Sequence, residues 1–264
     1  MTARFSSPTI SSMQIGKNNP KLSELRKAIR HGTLTTDGLL PIESLILLDE
    51  AIRSGIEVVD VFVRSGTGIT QTQGSVYELS TDQFKSLQAT EHSQGVIATV
   101  RPPRFSWDDM FAASPALIVV LCRLQDPGNT GTILRVGEAF GATACLALRD
   151  SASFYNGKVL RASAGSLFRV PHMMGLDMHF TAEALRSKNI SIVGTSPRAT
   201  ATVETWDWRK PIALLVGNEG VGLNEEELRH CDAVLRIPHK TSVESLNSAI
   251  ATAVMLYEAS KQRR

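Results

Sequence analysis

The sequence predicts an α/β protein built from two parts, because strand-like and helix-like segments alternate along its 264 residues. Its hydrophobic content of 42% is typical of a soluble globular chain with enough apolar material for a core. In the second part, several strands are apolar on both faces, which favours a parallel sheet covered by helices on both sides. Between the parts lies "RPPRFSWDDMFAASP" (101–115), whose three prolines and weak periodicity indicate a linker. We therefore expect two domains, residues 1–110 and 111–264, with roughly the first 16 residues flexible.

The N-terminal part is predicted to be a compact α/β unit. Glycines are expected to end its first two helices, because Gly32 follows "KLSELRKAIRH" and Gly55 follows "IESLILLDEAIRS". Apolar runs bounded by turn residues predict its strands. In chain order we expect a helix over 20–31, an extended stretch over 38–41, a helix over 42–55, strands over 57–64 and 76–79, a helix around 81–88 and a strand over 95–100.

The first of these helices carries a basic cluster. Leu22, Leu25 and Ile29 recur at helical spacing and predict an apolar inner face, which leaves the basic side chains on the flank and the outer face. The candidates for contact with phosphate groups are Lys21, Arg26, Lys27 and Arg30. The net charge of +2 is too small to indicate nucleic acid by itself, and an ordinary solvated helix face explains the cluster as well.

The C-terminal part is predicted to form a parallel sheet. We expect strands over 116–122, 143–148, 190–195, 212–217 and 233–238, and helices over 129–141, 181–188, 223–230 and 245–261. Ligands bind at the carboxyl ends of the strands in such sheets, so the residues that follow each strand matter most. Polar residues after three of these strands converge and are the candidate site residues: Asn129, Arg135, Glu219, Ser245 and Asn247.

Each of the three segments that carry these residues also has a structural explanation. In "DPGNTGTILRVGEAFGA" (126–142), Asn129 can cap the following helix, although Arg135 lies among apolar neighbours and is not a casual surface charge. "GNEGVGL" (217–223) has the glycines of a nucleotide-binding loop without the spacing of a dinucleotide fold or a P-loop. In "IPHKTSVESLNSAI" (237–250), Glu244 or Ser245 can simply cap the last helix.

Composition argues against several other classes of protein. No apolar run reaches the roughly 18 residues that a membrane span needs, and the N-terminus has no secretory signal, so we expect a cytoplasmic protein. Cys122, Cys145 and Cys231 are odd in number and far apart, which predicts reduced thiols rather than disulfides or a zinc site. His172 and His179 have no acidic or thiol companion at ligand spacing, so no metal is expected.

The three segments, in this order and spacing, resemble the three motifs of the SpoU (TrmH-type) family of RNA ribose 2′-O-methyltransferases, within the SPOUT class. The intervening "NGKVLRASAGSLFRVP" (156–171) is similar to that family's middle segment, and the resemblance covers roughly residues 115–260. It implies a C-terminal methyltransferase domain threaded into a trefoil knot, with S-adenosylmethionine bound by the knotted loops. The N-terminal unit resembles the small ribosomal-protein-like domain with which many members hold RNA, which would make its basic cluster RNA-binding.

The resemblance also implies roles for particular residues. By position in the motifs, backbone around six residues would bind the cofactor: Thr195, Gly217, Gly220, Gly222, Ile237 and Leu246. Arg135 would stabilise the developing 2′-oxyanion or the adjacent phosphate, because a guanidinium normally stays protonated and is a poor general base. Asn129 and Glu219 would position Arg135 and the ribose, while Ser245 and Asn247 would hold the loop and the edge of the cofactor or substrate.

Other properties follow from the same resemblance. Family members form homodimers through the last helix and the first-motif helix, although burial within one subunit explains the run "AIATAVMLYEA" equally well. The two-domain layout favours large-subunit rRNA as the substrate over tRNA, and a non-catalytic RNA-binding protein is the alternative. Base methylation is disfavoured by the combination of Arg135 with "ESLN". His239, Thr241 and Ser248 depart from the family pattern and put substrate identity in doubt more than activity.

Overall fold

A computed structural model describes residues 12–69, 74–90, 93–240 and 242–264. These residues divide into two compact units, one formed by the chain up to Pro103 with Tyr155–Leu160, the other by Arg104–Phe154 with Arg161–Arg264. The division after Pro103 lies a few residues before the expected boundary near residue 110, because the buried Met110 belongs to the core of the second unit. Most of the N-terminal stretch predicted to be flexible lies outside the described residues, whereas Met13 and Gln14 form a short strand.

The first unit is built on a five-stranded mixed sheet. Its elements are β1 (Met13–Gln14), α1 (Pro20–His31), β2 (Leu40–Glu43), α2 (Leu45–Arg53), β3 (Val58–Arg64), β4 (Ser75–Leu79), α3 (Thr81–Lys85) and β5 (Val96–Val100), with strand order β1-β4-β3-β5-β2. Helix α1 ends at Gly32 in the left-handed conformation, as predicted. Helix α2 begins later than expected, because β2 takes residues 40–43 and Ser44 caps the helix.

The second unit contains a seven-stranded sheet in which every pairing is parallel. From residue 104 onward the elements are α4 (Trp107–Met110), β6 (Leu117–Leu121), α5 (Pro127–Ala139), β7 (Ala144–Leu148), α6 (Gly157–Ser163), a 3₁₀ turn (Ser166–Phe168), β8 (His172–Leu176), α7 (Met178–Ser187), β9 (Ser191–Thr195), β10 (Ala201–Thr202), β11 (Ile212–Val216), α8 (Glu225–Arg229), β12 (Ala233–Arg236) and α9 (Ser248–Gln262). The strand order is β10-β12-β9-β11-β6-β7-β8. Central strands β6 and β11 are buried along their whole length, which confirms the prediction of a doubly covered parallel sheet.

Two helix starts differ from the sequence predictions. Asp126, not Asn129, is the N-cap of α5, and its carboxylate accepts the Asn129 backbone N–H at 2.7 Å. Asn247, rather than Glu244 or Ser245, caps α9 and accepts the N–H groups of the second and third residues of the helix. Both caps lie at the loops where the candidate site residues cluster.

No helix among the described residues combines the length and the apolar character that crossing a bilayer requires. Cys122 and Cys145 are buried, Cys231 is partly buried, and all three are free thiols. Burial raises the pKa of Cys145 to about 12 and that of Cys231 to about 11, so both are protonated at neutral pH.

Arg263, near the end of α9, anchors this helix to the edge of the sheet opposite the candidate site. Its guanidinium donates to the carbonyl oxygens of Trp208 (2.6 Å), Pro115 (2.8 Å), Ala116 (3.0 Å) and Lys210 (2.6 Å). We expect Arg263→Ala to lower the free energy of unfolding by about 2 kcal/mol, because carbonyl groups in a partly buried site lose a charged donor. Chemical denaturation checks this, with the exposed Arg264→Ala as the matched control, for which a change under about 0.5 kcal/mol is expected. Equal losses in both variants would contradict the anchoring role.

Candidate active site

The candidate site lies at one edge of the parallel sheet. Strands β12, β9, β11 and β6 are consecutive neighbours and run in the same direction, so their carboxyl ends meet at this edge. The loop after β6 leads into α5, the loop after β11 spans residues 217–223, and the segment after β12 leads to α9. The three sequence motifs are therefore brought together by the sheet.

A chain of side-chain hydrogen bonds joins all three loops. The Asn247 Nδ2–H donates to Asn129 Oδ1 at 3.0 Å, and the Asn129 Nδ2–H donates to Glu219 Oε1 at 3.3 Å. These residues come from the segments after β12, β6 and β11 respectively, and 118 positions separate Asn129 from Asn247. The structure thus brings together three of the five predicted polar site residues, and we call this set the amide–carboxylate chain.

Glu219 is the hub of this chain. Besides the Asn129 amide, its carboxylate accepts the backbone N–H of Asp126 at 3.0 Å and that of Gln125 at 3.3 Å. Both carboxylate oxygens therefore already accept N–H donors from the loop that opens α5. Glu219 consequently fixes the position of this loop relative to residues 217–223.

Arg135 is not part of the chain. It is exposed on α5, and its guanidinium makes no hydrogen bond or ion pair with any residue that the structure describes. Six residues along a helix correspond to a rotation of about 600°, so Arg135 and Asn129 point about 120° apart around α5. The prediction that Asn129 and Glu219 position Arg135 is thus not met by a direct contact. The guanidinium is instead exposed to solvent and unpaired among the described residues.

The remaining predicted residues occupy the same loops with fewer contacts. Thr195, at the end of β9, donates its hydroxyl to the Leu215 carbonyl at 3.3 Å. Ile237 and Leu246 are half-buried in the segment after β12. Ser245 is exposed and makes no side-chain hydrogen bond within the described part of the chain, so its role stays a prediction.

The glycines of residues 217–223 serve the loop's own shape. A Cβ on Gly217 would collide with the backbone of Gly222 and Leu223, with the Gly222 oxygen at 2.8 Å, because Asn218 and Gly222 pair across the loop. Gly222 has a left-handed φ of 69°, whereas a Cβ on Gly220 would meet only Asn218 Oδ1 at 3.6 Å. At Gly217, then, the close approach that excludes a side chain is to the protein's own backbone.

Three further residues, Asn218, Arg123 and Glu227, support the glycine-rich loop, and the sequence does not mark them as site residues. Asn218 accepts the N–H groups of Gly220 and Val221 with Oδ1 and donates its Nδ2–H to the Arg123 carbonyl at 3.0 Å. Arg123 in turn forms an ion pair with the buried Glu227. The hydrogen bonds to Glu227 raise the pKa of Arg123 above its usual value. Only the position of Asn218 inside the glycine-rich loop gave a signal in the sequence, since Arg123 and Glu227 are 104 positions apart.

Two of the three residues that depart from the family pattern, His239 and Ser248, lie in the described part of the chain. The His239 Nδ1–H donates to the Ile237 carbonyl at 2.7 Å, which leaves Nε2 as the acceptor in the neutral ring. The Ser248 hydroxyl is buried in the first turn of α9 and has no hydrogen-bond partner among the described residues. Thr241 lies outside the described residues.

The basic residues of α1 differ in their availability. The Lys21 ammonium pairs with the buried carboxylate of Asp60 at 2.9 Å and contacts the Tyr77 hydroxyl. Burial lowers the pKa of Lys21, but the hydrogen bonds to Asp60 and Tyr77 outweigh it, so the pKa lies above its usual value. Arg26 donates to the hydroxyl and the carbonyl of Ser86.

Lys27 and Arg30 are the freer members of this cluster. Both are exposed, and neither has a side-chain partner among the residues that the structure describes. The structure therefore engages Lys21 and Arg26 in contacts within the first unit and leaves Lys27 and Arg30 facing solvent.

The two histidines considered as metal ligands in the sequence, His172 and His179, lie in different environments. His172 is buried between the rings of Phe105 and Phe154, and burial lowers its pKa. His179 is exposed on α7 and lies 3.3 Å from Glu183. Across the described ranges, no group of three or more His, Cys, Asp or Glu side chains is arranged to hold a metal ion.

Comparison with known proteins identifies the family. The model of the SpoU rRNA Methylase family matches residues 116–257. The chain is 29% identical over 242 residues to 23S rRNA (guanosine(2553)-2'-O)-methyltransferase RlmP of Bacillus subtilis, covering 90% of this chain and 95% of that one. It is 33% identical over 193 residues to 23S rRNA (guanosine-2'-O-)-methyltransferase RlmB of Bordetella pertussis, covering 72% and 79%. The chain therefore belongs to the SpoU rRNA methylase family, which confirms the prediction from its three motifs.

A solved structure of this kind matches both units. The AdoMet-bound rRNA methyltransferase from Sinorhizobium meliloti has a TM-score of 0.81 and 26% identity, with 95% of this chain and 98% of that chain covered. The α/β fold predicted from the sequence is thus shared with a methyltransferase that binds this cofactor.

Proposed function

We propose that the protein transfers a methyl group from S-adenosylmethionine to a ribose 2′-hydroxyl of large-subunit rRNA. The observation that carries this proposal is the amide–carboxylate chain, because Asn247, Asn129 and Glu219 join the three motif loops at the carboxyl edge of the sheet. The names of the relatives, which are 23S rRNA 2′-O-methyltransferases, support the same reaction.

The loops at this edge have the chemistry that S-adenosylmethionine requires. Val221 is 73% exposed although it is apolar, and Ile237 and Leu246 are half-buried in the neighbouring segment. These side chains offer apolar surface to a flat base, while the backbone of residues 217–223 is open where Gly220 carries no side chain. The AdoMet-bound state of the matching methyltransferase supports this assignment.

S-adenosylmethionine would supply an electrophilic methyl group and leave as S-adenosylhomocysteine, and the proton of the 2′-hydroxyl would pass to solvent. The protein must orient the ribose and stabilise its oxygen. Arg135 is suited to stabilisation, since its free guanidinium can donate to a 2′-oxyanion or to the neighbouring phosphate. A guanidinium is a poor general base because it normally stays protonated in proteins. Glu219 is also poorly placed to remove the proton, because both of its oxygens accept N–H groups of the α5 loop. We assign to Glu219 the role of holding the α5 loop in a fixed position relative to residues 217–223.

The test is incubation of the purified protein with methyl-labelled S-adenosylmethionine and either unmodified rRNA or unmodified tRNA. We expect label on a ribose of 23S rRNA, located by nuclease digestion and mass spectrometry. Label in tRNA alone would show that the substrate is tRNA rather than rRNA, while the proposed reaction, ribose methylation, would stand. If S-adenosylmethionine binds but no ribose of naked or ribosome-bound RNA is labelled, the non-catalytic alternative replaces the proposal.

We further propose that the first unit holds RNA through the exposed end of α1. Lys27 and Arg30 carry this expectation, because their charges are not engaged by other described residues. Replacing both with alanine is expected to weaken rRNA binding about tenfold at low salt and to reduce its salt dependence. The control is Arg53→Ala, since Arg53 pairs with Glu50 on another helix of the same unit. If the double variant binds rRNA as tightly as the wild type, α1 is not part of the RNA-binding surface.

A homodimer is proposed through α9. One face of this helix is buried within its own unit, through Ala249, Thr252, Met255, Leu256 and Ala259. The opposite face exposes Ile250 (56%), Val254 (39%) and Tyr257 (53%) at helical spacing. Intramolecular packing therefore accounts for only part of the apolar run, and a second copy accounts for the rest. Light scattering that gives the mass of a single chain at micromolar concentration would contradict this.

Two further expectations from the family remain proposals. We expect the C-terminal part to be threaded into a trefoil knot, and this expectation rests on the match of residues 116–257 to the SpoU family. A chain trace of an experimental structure that straightens without a knot would overturn it. The cytoplasmic location also stays a prediction, which fractionation of cells expressing the protein would test.

A further inference from the structure

We propose that Arg123 is a positioning residue that fixes the shape of loop 217–223 and thereby the affinity for the cofactor; this inference rests on the proposed function. Arg123 follows β6 and lies just before the first motif. No feature of the motifs points to it. Its importance comes from contacts with both ends of a loop that lies about a hundred residues further along the chain.

The side chain holds the far end of the loop. The Arg123 Nε–H and Nη2–H donate to Glu227 Oε1 and Oε2 at 2.9 and 3.0 Å, which is the bidentate geometry of a guanidinium with a carboxylate. Nη2 also donates to the Gly222 carbonyl at 3.2 Å. Glu227 is buried and completes the capping box of α8 with Asn224. One guanidinium therefore connects the end of the loop to the helix that follows it.

The backbone holds the near end of the loop. The Arg123 carbonyl accepts the Asn218 Nδ2–H at 3.0 Å, and Asn218 Oδ1 accepts the N–H of Gly220 at 2.9 Å. Arg123 has a left-handed φ of 55°, a conformation in which a non-glycine residue stays only when its surroundings hold it. The contacts of the Arg123 side chain provide that support. Backbone and side chain together clamp the loop from both directions.

The consequence reaches the site itself, because the clamped loop carries Glu219 between Asn218 and Gly220. If the clamp is lost, the loop backbone that would contact the cofactor loses its support, whereas Glu219 stays bonded to the α5 loop through Gln125, Asp126 and Asn129. The Arg123 guanidinium is engaged by Glu227 and Gly222, so RNA contact is not expected to change directly. The clamp is therefore expected to act on cofactor affinity more than on RNA affinity.

The decisive variant is Arg123→Gly, because glycine adopts the left-handed conformation without strain while removing the guanidinium. We expect the dissociation constant for S-adenosylhomocysteine, measured by calorimetry on the full-length protein, to rise about tenfold or more. The KM for S-adenosylmethionine should rise in parallel, with kcat at saturating cofactor and the affinity for rRNA within about threefold of the wild type. Arg123→Lys keeps the charge without the fork and should recover only part of the affinity.

Two controls make the outcome interpretable. Arg229→Ala removes an arginine of α8 whose partner, among the residues that the structure describes, is the exposed Glu225, and its cofactor affinity should equal that of the wild type. Glu227→Gln tests the other half of the clamp and should resemble Arg123→Lys. If folded Arg123 variants bind S-adenosylhomocysteine as tightly as the wild type, the inference is overturned while the proposed function stands. If the wild type itself does not bind it, the proposed function fails first.

Discussion

Replacing Arg135 with alanine is expected to lower kcat/KM for ribose methylation by about 10²–10³-fold, the usual cost of removing a group that stabilises developing negative charge. The fold should be unaffected, because the guanidinium makes no hydrogen bond or ion pair with any residue that the structure describes. The melting temperature and the affinity for S-adenosylhomocysteine should therefore match those of the wild type. Single-turnover methylation of rRNA with saturating cofactor measures the loss directly.

Two comparison variants separate charge from geometry at this position. Arg135→Lys retains a positive charge but not the planar fork, so partial activity is expected if a single contact with the oxyanion suffices. Arg229→Ala, at an exposed arginine of α8, should keep full activity. If the Arg135→Ala variant methylates rRNA at the wild-type rate, Arg135 has no part in the mechanism. The group that stabilises the oxyanion would then have to be another one.

The order of elements could be predicted because the local signals agree. Gly32 ends α1 in the left-handed conformation, and the doubly apolar strands β6 and β11 are the centre of the parallel sheet. The convergence of Asn129, Glu219 and Asn247 also followed from topology, since parallel strands place their carboxyl ends at one edge. Fold and approximate location of the site thus come from periodicity and chain direction.

The finer details depend on contacts between distant residues. The sequence does not single out Asp126 and Asn247 as the helix caps, because several polar residues compete at each helix start and only the loop geometry selects one. The sequence does not indicate β10 because it has only two residues, nor β8 because it is an edge strand that contains a glycine and shows little alternation. Arg123 and Glu227 form a pair that no local pattern signals. The positioning elements of the site were therefore less predictable than its motif residues.

Glu219 is the second residue at which a large effect is expected. Glu219→Gln replaces one carboxylate oxygen with an NH₂ group, although both oxygens accept donors from the α5 loop. The new NH₂ group would then point at an N–H group of the α5 loop, so at least one hydrogen bond would be lost and the two loops would shift relative to each other. We expect methylation activity to fall about 10²-fold, since small displacements of aligned groups are costly for transfer reactions. The same assay on Glu226→Gln, an exposed glutamate of α8, should show no loss.

A double-mutant cycle then distinguishes positioning from proton abstraction by Glu219. If Glu219 acts by holding Asn129, the Asn129→Ala and Glu219→Gln effects overlap, and the double variant should be little worse than the poorer single variant. If Glu219 were instead the general base, its loss would remain large in the Asn129→Ala background, and the rate of the wild type would fall with the protonation of a carboxylate at acidic pH. Additive losses with such a pH profile would reassign Glu219 from the loop hub to the reacting proton. Non-additive losses would support the role that the hydrogen bonds indicate for the amide–carboxylate chain, which is to align three loops from distant parts of the sequence.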